Sequence, residues 1–236
     1  MSYVWATGTH QGLVRDGNED AVHPVGSGSG PGPTVVAVAD GMGGHVAGEV
    51  ASRLAIEGAT AAEADAPEDR ATAANRAILE QAAVEPALRG MGTTLTLGIF
   101  GEDGILRMAH VGDSRAYLMR DGELQILTED HTVVAELVAM GHLSEEAAEE
   151  HPQRHLLTRT LGLGPVEVDT FEITLAAGDR VLLCSDGLTT MLGDDEIETI
   201  LSAENGVEAA VWSLIEAANS SGGIDNTTVA VVDVKR

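Results

Sequence analysis

Acidic residues stand at five places along this 236-residue chain, each at the end of a strand-like run or in a glycine turn beside one. They are Glu19-Asp20, Asp40-Gly41, Asp113, Asp186-Gly187 and Asp225-Asn226. Ionised carboxylates are hard oxygen donors, the ligands that Ca²⁺, Mg²⁺ and Mn²⁺ select. A local Ca²⁺ loop draws its donors from about 12 consecutive residues, whereas these are spread over most of the chain. The spacing therefore points to a hard-metal site assembled by folding. An isolated Asp-Gly pair is an ordinary turn, since both are standard turn residues; the recurrence of such pairs beside apolar strands favours the site.

Composition narrows the partners. The formal charge is −25, from 13 Lys and Arg against 38 Asp and Glu. Such a surface repels nucleic acid and anionic membranes, and most of those charges simply solvate it. With no obvious apolar tract to pair copies, a monomer is the expected state. The single cysteine, Cys184, lies in the apolar run Val181 to Cys184, which excludes an internal disulfide framework and Cys-rich zinc or iron–sulfur sites. The first residues, Met1 to Gly12, lack a basic stretch followed by an apolar one, and no run approaches the ~18 apolar residues of a membrane helix. A cytoplasmic protein is expected.

The elements that must position the carboxylates follow from pattern. Tyr3–Ala6 and Asp20–Pro24 read as short strands, and the Gly/Ser/Pro tract at 26–33 reads as a flexible loop. Thr34–Ala39 is a continuous run of β-branched and small residues, suited to a strand buried on both faces. Apolar or small residues at 47, 50, 51, 54, 55 and 58 make one helical face. Pro67–Val84 is a second helix, with Pro67 in its first turn and Glu68 and Asp69 suitably placed for the dipole. Thr93–Phe100, Ile105–Val111, Arg115–Arg120 and Glu123–Leu127 read as a meander, with Asp121-Gly122 as a two-residue hairpin turn. Short helices at His131–Met140 and Ser144–Glu150 precede strands at Val166–Leu175 and Arg180–Ser185. Helices near Asp194–Leu201 and Val207–Ser220 and a strand Thr227–Val234 close the chain. This order does not alternate βαβα, so it predicts an α+β layer fold in one domain.

Six blocks occur in sequence order: Arg15-Asp16-Gly17-Asn18-Glu19-Asp20, Asp40-Gly41-Met42-Gly43-Gly44-His45, Met91-Gly92-Thr93-Thr94, Val111-Gly112-Asp113-Ser114-Arg115, Cys184-Ser185-Asp186-Gly187 and Gly223-Ile224-Asp225-Asn226-Thr227. Together they resemble the signature blocks of the bacterial metal-dependent Ser/Thr protein phosphatases, the PPM or type 2C family, over nearly the whole chain. The resemblance implies an αββα sandwich, two antiparallel β-sheets flanked by helices, as one catalytic domain over residues 1–236. A helical flap would be inserted at about 130–165, movable on its glycines or rigidly packed.

It also implies a cofactor of two Mn²⁺ or Mg²⁺ ions, with a third held more weakly. Asp40 would bridge the pair, Asp186 and Asp225 would complete one ion's protein shell, and Glu19 with the carbonyl of Gly41 would serve the other. Asp20 would orient ligands or bound water from behind, and Asp113 would join Asp186 at the third ion or else cap the turn into Arg115. The nucleophile would be a hydroxide bridging the two ions. Arg15 would grip the substrate phosphate through its planar fork, or be a surface arginine. Met42 stands where many eukaryotic members carry a histidine proposed as general acid. His45, three residues on, could donate that proton or cap the following helix.

The implied reaction is hydrolysis of phosphoserine and phosphothreonine in proteins, opposing Ser/Thr kinases and acting on their substrates. The rival is a catalytically inactive phosphoprotein-binding regulator, which the intact ligand set disfavours. Cys184 has Thr190 rather than arginine six positions on, so a cysteine-dependent route finds no support.

Overall fold

The computed structural model describes residues 1–62 and 64–236, without the side chains of His45 and Glu149. One sheet has the order β3-β1-β12-β11-β8-β9, built from β1 (Ser2–His10), β3 (Ser27–Pro31), β8 (Arg115–Arg120), β9 (Glu123–Ile126), β11 (Arg180–Cys184) and β12 (Thr227–Lys235). The other has the order β10-β7-β6-β4-β2, from β2 (Asp20–His23), β4 (Thr34–Met42), β6 (Leu95–Phe100), β7 (Ile105–Val111) and β10 (Asp169–Thr174), with the short β5 (Gly92–Thr93) on the end of β4. All pairings are antiparallel.

Alternation along the strands sorts side chains into three layers, because successive residues of a strand point to opposite faces. In β4, Val36 and Val38 enter the core between the sheets, while Ala37 and Ala39 face α1 (His45–Ala61) and α2 (Pro67–Val84). In β11, Val181 and Leu183 face inward, and Leu182 and Cys184 meet α6 (Asp194–Ala203) and α7 (Val207–Ser220). A helix layer on each outer face completes α-β-β-α. Small residues let the helices come close: Ala51, Ala55, Ala71 and Ala74 are fully buried, and a Cβ on Gly58 would meet the Ala74 backbone at 2.9 Å. Tyr3 and Phe100 close the inter-sheet core edge to face at 5.3 Å, and the Tyr3 hydroxyl donates to the Gly101 carbonyl.

Three expectations are corrected. The Gly/Ser tract is not a loop: β3 is an edge strand on β1, with Gly28 opposite Trp5. A Cβ on Gly28 would lie 2.5 Å from the Trp5 ring, so the glycines make room for an indole laid across the edge strand. The meander is also broken, since β7 and β8 lie in different sheets and the chain crosses between them at residues 112–114. Finally, Asp186 opens a short helix, α5 (Asp186–Thr189), where only a turn was expected. Between β9 and β10 lie α3 (Val133–Ala139) and α4 (Glu145–Glu149), capped by Thr132 and Ser144. The segment after α4 returns to the body through bridges Thr132 to Leu157 and Thr93 to Leu161. No helix among the described residues is long and apolar enough to cross a membrane.

Candidate metal centre

Antiparallel order brings the acidic positions to one end of the sandwich. Asp20 starts β2, Asp40 lies near the end of β4, Asp113 lies in the crossover after β7, Asp186 follows β11, and Asp225 precedes β12. In the β2–β4 register Asp20 stands directly opposite Asp40. β4 runs on to Met42 because β5 pairs with its tip, Gly41 against Thr93. The Asp40 backbone is gripped on both sides: its N–H donates to Thr94 Oγ1 at 2.9 Å, and its carbonyl accepts from Thr94 N and Thr93 Oγ1.

Gly41 is glycine for a reason beyond access to its carbonyl. Its N–H donates to the Glu19 carbonyl at 3.1 Å, and a Cβ there would strike the carbonyl of Gly48 on α1. A Cβ on Gly48 would in turn strike Glu19 Oε2. The two glycines thus form a slot in which the Glu19 carboxylate lies.

Asn226 organises the opposite wall. Its side-chain amide donates to the carbonyls of Gln11 and Gly17, and its Oδ1 accepts from Glu19 N. This pins the loop carrying Arg15, whose Nη2 donates to Asp225 Oδ2 at 2.5 Å. Asp225 Oδ1 accepts from Asn226 N.

The electrostatics of the cluster favour positive charge beside it. Burial pushes the Asp20 carboxyl up to about 7, with Asp186 and Asp225 adding repulsion. Burial also raises Asp113 to about 8, again with Asp186 contributing, and lifts Asp40 well above the usual range with Asp20, Asp186 and Asp113 nearby. Asp186 is raised by burial and then by Asp225. Asp20 Oδ2 accepts from Ser185 Oγ at 2.8 Å, but its buried Oδ1 has no hydrogen-bond donor. Such a set of crowded, desolvated oxygens is stabilised by positive charge. It suits hard divalent cations, whose retained waters reduce the number of protein donors needed. As folded, no group of three or more His, Cys, Asp and Glu among the described residues stands ready as a ligand set. Within the cluster Asp40 and Asp186 lie side by side, and Arg15 engages Asp225.

An open cavity of about 940 Å³ lies over the cluster, lined by Arg15, Glu19, Asp40, Gly41, Asp113, Asp186 and Asp225. Asp20 is not among the lining residues, and its Oδ1 is buried. The His45 side chain lies outside the described residues. Two residues escape a reading of the sequence. Thr94 was visible only as part of a block, and His155, which lines the cavity with Nδ1 3.9 Å from Asp186 Oδ2, carries no local signal of its position.

The profile of the protein phosphatase 2C family matches residues 8–217. The chain is 44% identical over 238 residues to the serine/threonine protein phosphatase PstP of Mycobacterium tuberculosis, covering 98% of this chain and 45% of that protein. It thus spans less than half the length of that relative. It is 42% identical over 212 residues to the serine/threonine phosphatase stp of Listeria monocytogenes, with 84% of each covered. A crystal structure of the M. tuberculosis PstP/Ppp phosphatase superposes with a TM-score of 0.91 at 42% identity, covering 100% of both chains. The PstP catalytic domain in complex with two manganese ions gives 0.88 at 40% identity, again covering both chains in full (100%).

Proposed function

This chain belongs to the protein phosphatase 2C family, and we propose that it hydrolyses phosphoserine and phosphothreonine in proteins with two Mn²⁺ or Mg²⁺ ions as cofactor. The observation that carries this reading is the convergence of Glu19, Asp40, Asp113, Asp186 and Asp225 beneath one cavity, with Arg15 at its edge. When bound, hard divalent ions supply Lewis acidity toward the phosphoryl group and lower the pKa of an attacking water.

On this reading Asp40, Asp186 and Asp225, with Glu19 and the Gly41 carbonyl, would hold the two ions. Asp20, held by Ser185, orients the ligands from behind. Asp113 with Asp186 would hold a third, weaker ion. Arg15 exchanges Asp225 for substrate phosphate; its side chain is about half exposed and can swing. The segment 130–165 acts as a flap, since Leu156, Arg159 and Leu163 border the cavity.

The partners are phosphorylated proteins and the Ser/Thr kinases whose action is reversed, in a cytoplasmic setting, with the chain acting as a monomer. The inactive-regulator alternative gains nothing from the site, because no expected ligand position carries a non-ligating residue. Release of phosphate from a phosphothreonine peptide, dependent on Mn²⁺ and lost in Asp40→Asn, tests the reading. Metal-independent release, or none in the wild type with Mn²⁺ saturating, would sink it.

A further inference from the structure

We infer that His131 is a positioning residue for Asp113, fixing the inter-sheet crossover from which that carboxylate projects. The inference rests on the reading of Asp113 as a ligand of the weaker ion.

Residues 112–114 belong to no strand, since β7 ends at Val111 and β8 begins at Arg115. Something other than a ladder must hold the peptide before Asp113. Gly112 has φ +107°, a conformation that favours glycine, and a Cβ there would press on Thr94 at 2.5 Å. Its two backbone groups both go to His131: the His131 N–H donates to the Gly112 carbonyl at 2.8 Å, and the Gly112 N–H donates to His131 Nδ1 at 3.1 Å. The histidine, 5% exposed, therefore replaces a strand partner at this point.

The second bond also fixes the tautomer. Since Gly112 N–H can only donate, Nδ1 accepts and the proton resides on Nε2. Nε2 faces Asp169 Oδ2 at 3.1 Å and donates to it, while Asp169 Oδ1 accepts from Arg159 Nη1 at 2.7 Å. The His131 carbonyl accepts from Thr158 N at 2.8 Å. His131 thus joins the Asp113 crossover to the stretch 158–161, whose Leu161 is bridged to Thr93 beside the Asp40 clamp. The ring packs on His110, centroids 4.8 Å apart.

The two ring nitrogens can be tested separately. His131→Asn places an amide oxygen near the Nδ1 position and keeps the acceptor for Gly112. His131→Gln reaches the Nε2 position and keeps the bond to Asp169, but leaves Gly112 N–H without its acceptor. Calorimetric Mn²⁺ titration of the full chain, with thermal midpoints recorded alongside, compares both with wild type and Asp113→Ala. Asp113→Ala should lose the weaker binding step, His131→Gln should weaken that step about tenfold or more without changing the tighter steps, and His131→Asn should retain it. Equal weakening in the Asn and Gln variants, or no weakening in Gln while Asp113→Ala loses the step, overturns the inference. If Asp113→Ala alters no Mn²⁺ step, the ligand reading of Asp113 fails and the inference falls with it. Should the Gln variant not fold, the Asn variant still decides, because a weakened step in folded His131→Asn contradicts the assignment.

Discussion

Asp20 and Asp40 face each other across the antiparallel register of β2 and β4, and partial burial raises the pKa of both carboxyls. Like charges directly opposite on a sheet destabilise it, and desolvation sharpens the penalty. The fold carries this strain at the end of its central strands, where positive charge can relieve it.

The first prediction concerns stability without metal. A carboxyl whose folded pKa is raised contributes stability that is fully present below its unfolded pKa near 4. That contribution is lost as pH rises through the folded value, about 7 for Asp20 and about 8 for Asp113. Asp40→Asn should therefore abolish turnover yet raise the thermal midpoint of the EDTA-treated protein, more at pH 8 than at pH 5. A chain of this size gains roughly 2–4 °C per kcal/mol. A lower midpoint in the variant at pH 8 would contradict the electrostatic account.

The Glu19 slot makes a prediction about metal affinity. Alanine in place of a helical glycine favours the helix by about 1 kcal/mol, but a Cβ at Gly48 overlaps Glu19 Oε2. Gly48→Ala should displace that carboxylate and weaken Mn²⁺ binding; because the added Cβ also comes within 2.9 Å of the Gly41 backbone carbon, the thermal midpoint of the EDTA-treated protein should fall as well. Unchanged Mn²⁺ affinity would show that Glu19 is no ligand or that it relocates freely.

His110 supplies a pH dependence of the opposite sign. Burial, reinforced by neighbouring His131, lowers its pKa from 6.5 to about 4; Thr96 Oγ1 and the Glu129 carbonyl bond its ring, and Asp130 and Asp169 pull the other way. Its contribution is fully present above pH 6.5 and is lost as pH falls toward 4, on the order of 3 kcal/mol across the window. Urea melts of wild type and His110→Gln should therefore converge as pH drops from 7 to 5. A gap independent of pH would mean that the imidazole does not titrate on unfolding in this range.

Arg15 should act on substrate binding. Truncating a charge-assisted phosphate contact costs ~1.5–3 kcal/mol, so Arg15→Ala should raise KM for a phosphopeptide by roughly tenfold or more. Since Arg15 engages Asp225 at 2.5 Å in the folded chain, its removal frees a carboxylate and should not lower Mn²⁺ affinity. Unchanged kinetics would demote it to a surface arginine.

What the sequence discloses and what it hides have different physical origins. The bounds of α2 and α7 fall where the sequence puts them, at Pro67–Val84, with Pro67, Glu68 and Asp69 in its first turn, and at Val207–Ser220. The Asp121-Gly122 turn likewise shows φ values of 55° and 88°, the left-handed pair that a tight hairpin demands. These are local effects. The Gly/Ser strand β3 exists because Trp5 lies across it, and the β7–β8 crossover because Gly112 turns the chain toward the other sheet. Trp5 is remote from β3 in sequence, and the residue that holds Gly112, His131, lies beyond β9. The acidic positions were legible because each ends or begins a strand, so antiparallel order alone gathers them. His131 and His155 were not, because each reaches the site from a segment whose own pattern describes only its local helices and turns.

The leaving-group proton provides the final prediction. Attack at phosphorus expels an alkoxide from phosphoserine but a phenolate from p-nitrophenyl phosphate, and the far more basic alkoxide depends on a general acid. Met42 cannot supply the proton, because a thioether has none to transfer. His45 begins α1 just after the Asp40-Gly41 pair, and an unperturbed imidazole titrates at about pH 6.5. If it is the acid, His45→Gln should depress phosphoserine-peptide hydrolysis much more than p-nitrophenyl phosphate hydrolysis. The selective loss should follow kcat rather than KM, since the proton is needed only as the bond breaks. Equal losses on both substrates would assign His45 to the structure of the α1 terminus, and no loss on either would leave a bound water as donor.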